Sequence, residues 1–435
     1  MGRLTLQQIG RVLRTYQAQA SLDKHGRVNG FHSNHLEANI PIEDRKFIGK
    51  IANTSMVCAG VLDGHGGHRC AQAINERLLG YIAASVLHSC NKLPSPHERG
   101  HLRLVERFRF PDEYFTVKYE ALYRRSLSNY MQDLSRSSPL QDTGAALCNA
   151  FVRLDEDLSR EVGTSDKWDG RFVQRVVSGA CASVALIEDD QLIAANLGDC
   201  RVIVGRKVDS KWQACQLGAI HDAGNLEEVL RILKEHPASE RRNIIQNQRL
   251  FGALTPLRAF GDVMFKWDTE DLRALQSLGI HMSHVASNVY NTPPYLTAHP
   301  EITYHTLLPN DHFAILSTDG LFDFISPDLA VSLVGSSLDA FWETGDTFHK
   351  KGGIRKLNTI GSMVDKLDSL AQKKEYMVDS NSATKLIRYA LGGSGKSPDT
   401  ENLNAMLTLP NDMIRFNRDD ISIIVIYFNE FSTKR

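Results

Sequence analysis

Three short apolar runs that each adjoin a carboxylate constrain this chain more than any other feature of it. Residues 57–62 read V-C-A-G-V-L and stop at Asp63-Gly64-His65-Gly66-Gly67. Residues 313–316 lead to Asp319-Gly320, and Asp419-Asp420 opens the β-branched run 421–428. Unbroken apolar runs of roughly four to eight residues predict strands buried on both faces. A carboxylate at the end of such a strand is costly to desolvate unless it is paired or holds a cation. Any one Asp-Gly is ordinary turn chemistry. Their repetition at strand ends points to a shared cation, and an all-oxygen donor set favours Mg²⁺ or Mn²⁺ over zinc.

The intervening chain supplies helices to cover those strands. Cys70, Ala73, Ile74, Leu78, Tyr81 and Ile82 keep helical spacing after the Gly-rich turn, and Thr143 stands as a cap before Leu147, Ala150, Phe151, Leu154 and Leu158. Residues 180–187, 192–197 and 201–204 read as an antiparallel meander of three strands. Leu226, Val229, Leu230 and Leu233 form the apolar stripe of a further helix stopped by Pro237. Ser326-Pro327-Asp328 is a helix start, residues 360–371 carry an amphipathic pattern, and Ala383, Leu386, Ile387 and Ala390 mark a helix ended by Gly392-Gly393. The expected class is α+β, with two antiparallel sheets in a central sandwich flanked by α-helices. Residues 1–30 read as an N-terminal segment and 31–435 as a catalytic domain with insertions near 91–140, 238–298 and 335–380.

Composition narrows the function classes. A formal net charge of -1 gives no basic field for nucleic acid, and no apolar stretch approaches the roughly 18–20 residues of a membrane span. The seven cysteines are odd in number and lack a C-x-x-C pair, which favours reduced thiols over disulfides or zinc. Arg3, Arg11 and Arg14, with no acidic residue in the first twenty, fit an import peptide as well as an N-terminal surface helix.

Gly64, Gly66 and Gly67 let backbone approach a ligand closely. His65, beside a metal-binding carboxylate, is placed to act as an acid, or else as a hydrogen-bonding turn histidine. Phe265 and Trp267, with the insert 268–294, fit either a docking surface or satellite core.

The Glu43-Asp44 pair, Asp63-Gly64-His65-Gly66-Gly67, Asn196-Leu197-Gly198-Asp199-Cys200-Arg201, Arg258-Ala259-Phe260-Gly261-Asp262, Ser317-Thr318-Asp319-Gly320-Leu321-Phe322-Asp323 and Arg418-Asp419-Asp420-Ile421-Ser422 occur in sequence order. In these six motifs the chain resembles the metal-dependent type 2C (PPM) protein serine/threonine phosphatases. The resemblance implies a two-sheet sandwich with two Mg²⁺ or Mn²⁺ ions at one end. It makes Asp63 the bridging ligand, gives Asp319 and Asp419 to one metal, and gives Asp44 with the Gly64 carbonyl to the other. Glu43 then supports the ligands from behind, Asp199 and Asp323 match positions that hold a third, weaker metal, and Asp420 stands where many members have Asn. The implied chemistry is in-line attack of an activated water on phosphorus without a phosphoenzyme, with His65 protonating the departing oxygen. One departure is Asn39, where many members carry a phosphate-binding Arg; it offers only a neutral amide donor.

Residues 38–45, 258–267, 291–298 and Tyr304-His305 are similar to one subgroup, the catalytic subunits of mitochondrial pyruvate dehydrogenase phosphatases. That similarity implies phosphorylated pyruvate dehydrogenase E1α as substrate, the mitochondrial matrix as location, Ca²⁺-aided docking on an E2 lipoyl domain, and a larger regulatory subunit. A general phosphatase for other phosphoproteins is the rival within the same chemistry.

Overall fold

The computed structural model describes residues 3–22, 26–94, 104–110, 116–163, 170–277, 279–280, 290–343, 379–393 and 397–429. Strands β1 (Ala18–Ser21) and β2 (Val28–Leu36) open a first sheet, and β3 (Arg45–Ile51), β4 (Val57–His65), β5 (Val105–Phe108), β6 (Gly179–Glu188) and β7 (Gln191–Leu197) build a second. The chain then returns to the first sheet with β8 (Arg201–Val208) and β9 (Lys211–Leu217). The two-residue strands β10 (Ile245–Gln246) and β11 (Arg249–Leu250) pair with each other, and β12 (Phe260–Gly261) pairs with β6. β13 (Glu301–Thr306) borders β7, and β14 (Asp311–Ser317) and β15 (Ile421–Phe428) fill the centre of the first sheet. Strand orders are β1-β2-β15-β14-β8-β9 and β13-β7-β6-β4-β3-β5, with antiparallel pairing throughout.

The two sheets face each other and helices cover both outer faces, so the apolar runs are continuous for a geometric reason. Along β15, Ile421, Ile423 and Val425 pack under the helices Pro327–Glu343 and Ser382–Gly392, whereas Ile424, Ile426 and Phe428 join Phe31, Val61 and Leu316 between the sheets. With side chains alternating at period two and both faces dry, nearly every position is apolar, Ser422 being the buried polar exception in β15. The second sheet is covered by the helices Arg69–Ser89 and Thr143–Arg160, which pack on each other and bury Ile74, Leu78, Leu147 and Phe151. The opening helix Leu6–Leu13, closed by a Thr5/Gln8 capping box, buries Ile9 and Leu13 in the core of the first sheet.

The structure corrects or decides four local readings. β6 and β7 are a hairpin, but β8 lies in the other sheet, so the expected meander is instead a crossover between sheets. The turn at Gly198, with φ +94°, makes that crossing; a Cβ there would sit 2.2 Å from the Cys181 sulfur. The cap of the Thr143–Arg160 helix is Asp142, which accepts from the Ala145 amide at 2.8 Å, because the acceptor must precede the first helical turn. Phe265 is fully buried and Trp267 packs beside it, which makes them satellite core rather than an exposed anchor. The amphipathic pattern over 360–371 lies outside the described residues.

The fourth reading concerns the helix Leu226–Glu235, whose apolar stripe does not all face inward. Leu226 and Leu230 are exposed, while Ile232 and the carboxylate of Glu228 are buried. Arg258 grips Glu228 with two bonds, at 2.8 and 2.7 Å, and Arg231 adds two more to its Oε1, at 2.9 and 2.5 Å. Burial alone would raise the Glu228 pKa, but the bonds from Arg258 and Arg231 reverse this and hold it at about 2. A depressed carboxylate stabilises the fold fully above its unfolded value near 4.5, and that stabilisation is lost as pH falls towards 2. Glu228→Gln is therefore expected to cost about 2 kcal/mol at pH 7, the partly exposed arginines moderating a loss typical of buried pairs. Urea unfolding of both proteins at pH 7 and at pH 3.5 checks this: a gap that does not narrow at the lower pH would show that charge is not the cause.

Candidate metal centre

Strand register brings the carboxylates together. Arg45 of β3 lies opposite Leu62 of β4, Asp63 opposite Cys181 of β6, and Leu197 of β7 opposite Ala182 of β6. In the other sheet Ser317 of β14 faces both Arg201 of β8 and Ile423 of β15, and Ile421 faces Leu36 of β2. Asp44 precedes β3, Asp199 links β7 to β8, Asp319 follows β14, and Asp419 and Asp420 precede β15. With Asp63 inside β4, all six share one end of the sandwich. Donor atoms of Asp63, Asp199 and Cys200 lie within 4.8 Å of one another.

Mutual repulsion marks the cluster. Asp44 and Asp63 are pushed well above the usual carboxylate range, first by burial and then by neighbouring carboxylates. For Asp63 those neighbours are Asp319, Asp44, Asp199 and Asp419. Asp319 is raised to about 7 by burial and by Asp199, and Glu43 and Asp323 are raised for the same two kinds of reason. Oδ1 of Asp199 and Oδ1 of Asp319 are buried and find no hydrogen-bond partner among the described residues. Buried acceptors without donors, in a cluster of like charges, fit divalent cations with oxygen ligands.

The surrounding chain fixes these groups in place. Thr318 donates to Asp44 Oδ2 at 2.8 Å. Asp420 accepts from the amides of Ala38, Asn39 and Glu43, and from the Asn39 side chain at 3.0 Å, so it clamps the loop that carries Glu43 and Asp44. The side-chain amide of Asn39 is thus engaged with Asp420. Gly64 is required by close approach: a Cβ would lie 2.4 Å from the Glu43 carbonyl. The same holds at Gly320, where a Cβ would meet the Asp420 carbonyl at 2.1 Å.

His65 closes the site with a partner that local spacing did not reveal. Its Nε2 lies 2.6 Å from Oδ2 of Asp262, a residue 197 positions away. Asp262 adopts a left-handed conformation directly after Gly261, also at positive φ, where β12 meets the first residues of β6. Burial would lower the His65 pKa, but the charge and hydrogen bond of Asp262 outweigh it and the imidazole is shifted upward. The protonated ring that an acid needs is therefore favoured. A signal for Asp262 was present in the Arg258–Asp262 motif, but its role depends on a contact across the sheet.

A protein-family model described as Protein phosphatase 2C matches residues 85–343. The chain is 38% identical to the mitochondrial pyruvate dehydrogenase phosphatase 1 of Bos taurus, covering 92% of this chain and 78% of the relative. It is 37% identical to the mitochondrial pyruvate dehydrogenase phosphatase 2 of Homo sapiens, covering 99% and 84% respectively. The chain belongs to the protein phosphatase 2C family. It is accordingly a metal-dependent protein serine/threonine phosphatase. Among solved structures, a serine-threonine phosphatase 2C from Toxoplasma gondii aligns over 95% of this chain and 99% of its own with a TM-score of 0.50 at 13% identity, a likeness of fold. No helix among the described residues is long and apolar enough to cross a membrane.

Proposed function

We propose that this phosphatase dephosphorylates the E1α subunit of pyruvate dehydrogenase, and so reactivates it, in the mitochondrial matrix. The observation that carries the reading is the 37–38% identity, over 92–99% of the chain, to relatives named for that activity and for mitochondria. Docking on an E2 lipoyl domain with the aid of Ca²⁺, and pairing with a larger regulatory subunit, belong to the same proposal and rest on the subgroup resemblance alone.

In this reading Asp44, Asp63, Asp319, Asp419 and the Gly64 carbonyl hold two Mg²⁺ or Mn²⁺ ions, and Asp199 and Asp323 serve a third. When bound, the ions supply Lewis acidity towards the phosphate and lower the pKa of water. The chain's own residues do the rest. Thr318 and Asp420 hold Asp44 and the Glu43 loop rigid, so ligand geometry needs no rearrangement during turnover. Asp262 keeps His65 protonated and aimed, ready to deliver a proton to the departing serine or threonine oxygen.

The test is phosphate release from phosphorylated pyruvate dehydrogenase E1α and from an unrelated phosphoprotein, each with Mg²⁺ and with chelator. A preference of at least about tenfold for E1α is expected, corresponding to a modest differential in transition-state binding. Equal rates on both proteins would leave a general phosphatase and overturn the substrate assignment.

A further inference from the structure

Three arginines stand among the carboxylates, and they differ in how their guanidinium groups are used. Arg418 is buried and donates to the carbonyl oxygens of Glu37 and Asp419. Arg201 lies over the Phe322 ring, 4.6 Å from its centroid, with its Nε buried. Arg415, on the short helix Asn411–Asn417, reaches Oδ2 of Asp419 with Nη1 while 49% of its side-chain surface stays exposed. It approaches the cluster from the solvent side, and its charge is felt at Asp63, Asp420, Glu43 and Asp323.

Charge balance shows why such a cation matters. Four carboxylates offset two divalent cations charge for charge, so a phosphate dianion arriving at Asp44, Asp63, Asp319 and Asp419 meets no surplus positive charge. Asn39 does not supply one, being neutral and already bonded to Asp420 through its side chain. A guanidinium has five donors, and one contact to Asp419 leaves donors free for an anion. Its planar fork matches two phosphate oxygens at once.

We propose that Arg415 is the phosphate-recognition residue of this site, bridging Asp419 and the oxygens of the phosphoserine or phosphothreonine monoester. The assignment rests on the two-metal phosphatase reading above and names a specificity residue within it. Because Arg415 is half exposed on a surface helix that buries no side chain, its substitution leaves the fold intact.

The experiment compares the full chain with Arg415→Gln and Arg415→Lys. Four quantities are measured: KM and kcat on a phosphoserine peptide, inhibition by inorganic phosphate, and Mg²⁺ affinity by titration calorimetry. In Arg415→Gln, KM and the phosphate inhibition constant are expected to rise about tenfold or more, the scale of one charge-assisted bond, with kcat and Mg²⁺ affinity within about twofold of wild type. Arg415→Lys recovers part of the phosphate affinity, since charge is kept but the fork is lost. Unchanged phosphate inhibition, with or without weakened Mg²⁺ binding, overturns the proposal and leaves Arg415 as a group that merely holds Asp419. Wild-type protein that neither binds Mg²⁺ nor releases phosphate overturns the underlying site reading, and this assignment with it.

Discussion

Asp63→Asn is expected to lower phosphate release by at least about a thousandfold while leaving the metal-free protein folded and as stable as wild type or more so. The two halves of this prediction have one cause. Asp63 is buried at the sandwich end with Asp319, Asp44, Asp199 and Asp419 acting on it, so in the absence of cations it is a source of repulsion rather than of stability. Two carboxylates about 5 Å apart repel by about 3 kcal/mol at an effective dielectric constant of 20, which is a sizeable part of a domain's stability. An amide of the same shape removes that repulsion and also removes a charged ligand. Thermal melts with and without Mg²⁺ complete the check. Wild type should gain stability on adding the ion, because a ligand that binds only the folded state stabilises it, and the variant should gain little. Residual activity within tenfold of wild type would sink the idea that Asp63 is a shared ligand.

Gly179→Ala should lower kcat by about a hundredfold, the lower end of what a positioned general acid contributes. The residue touches no substrate; it matters because a Cβ on it would lie 2.0 Å from Oδ2 of Asp262 and 2.1 Å from Nε2 of His65. Both atoms end side chains that share one hydrogen bond, so a Cβ placed against the two of them is expected to push the pair apart. Asp262 raises the His65 pKa, and its removal lowers it. The protonated form is then lost at lower pH, so the alkaline limb of the pH profile for kcat should move to lower pH while Mg²⁺ affinity stays close to wild type. A variant with an unchanged profile would show that the His65–Asp262 pair is structural.

Much of this site was readable from the chain because its signals are local. A strand buried on both faces reads as an apolar run, and the charges that bound it are visible beside it, which is how Asp63 and Asp319 at strand ends and Asp419 before a strand stand out. The glycine at 64 marks close backbone approach in the same way, whereas the tight fit at Gly320 is visible only in the fold. The order of six motifs then carried the family and the fold class.

What the sequence left open depends on contacts between distant segments. Gly198-Asp199 looks like any hairpin turn, and only the packing of two sheets makes β8 cross into the other one. The stripe Leu226, Val229, Leu230 and Leu233 has helical period, yet the bonds from Arg258 turn the carboxylate of Glu228 inward and leave Leu226 and Leu230 in solvent. Asp262 carries no local mark of its role, since it meets His65 across 197 residues. Periodicity and turn chemistry act over a few residues and are therefore written in the chain, whereas the pairing of buried charges is settled only when folding removes water from both partners at once.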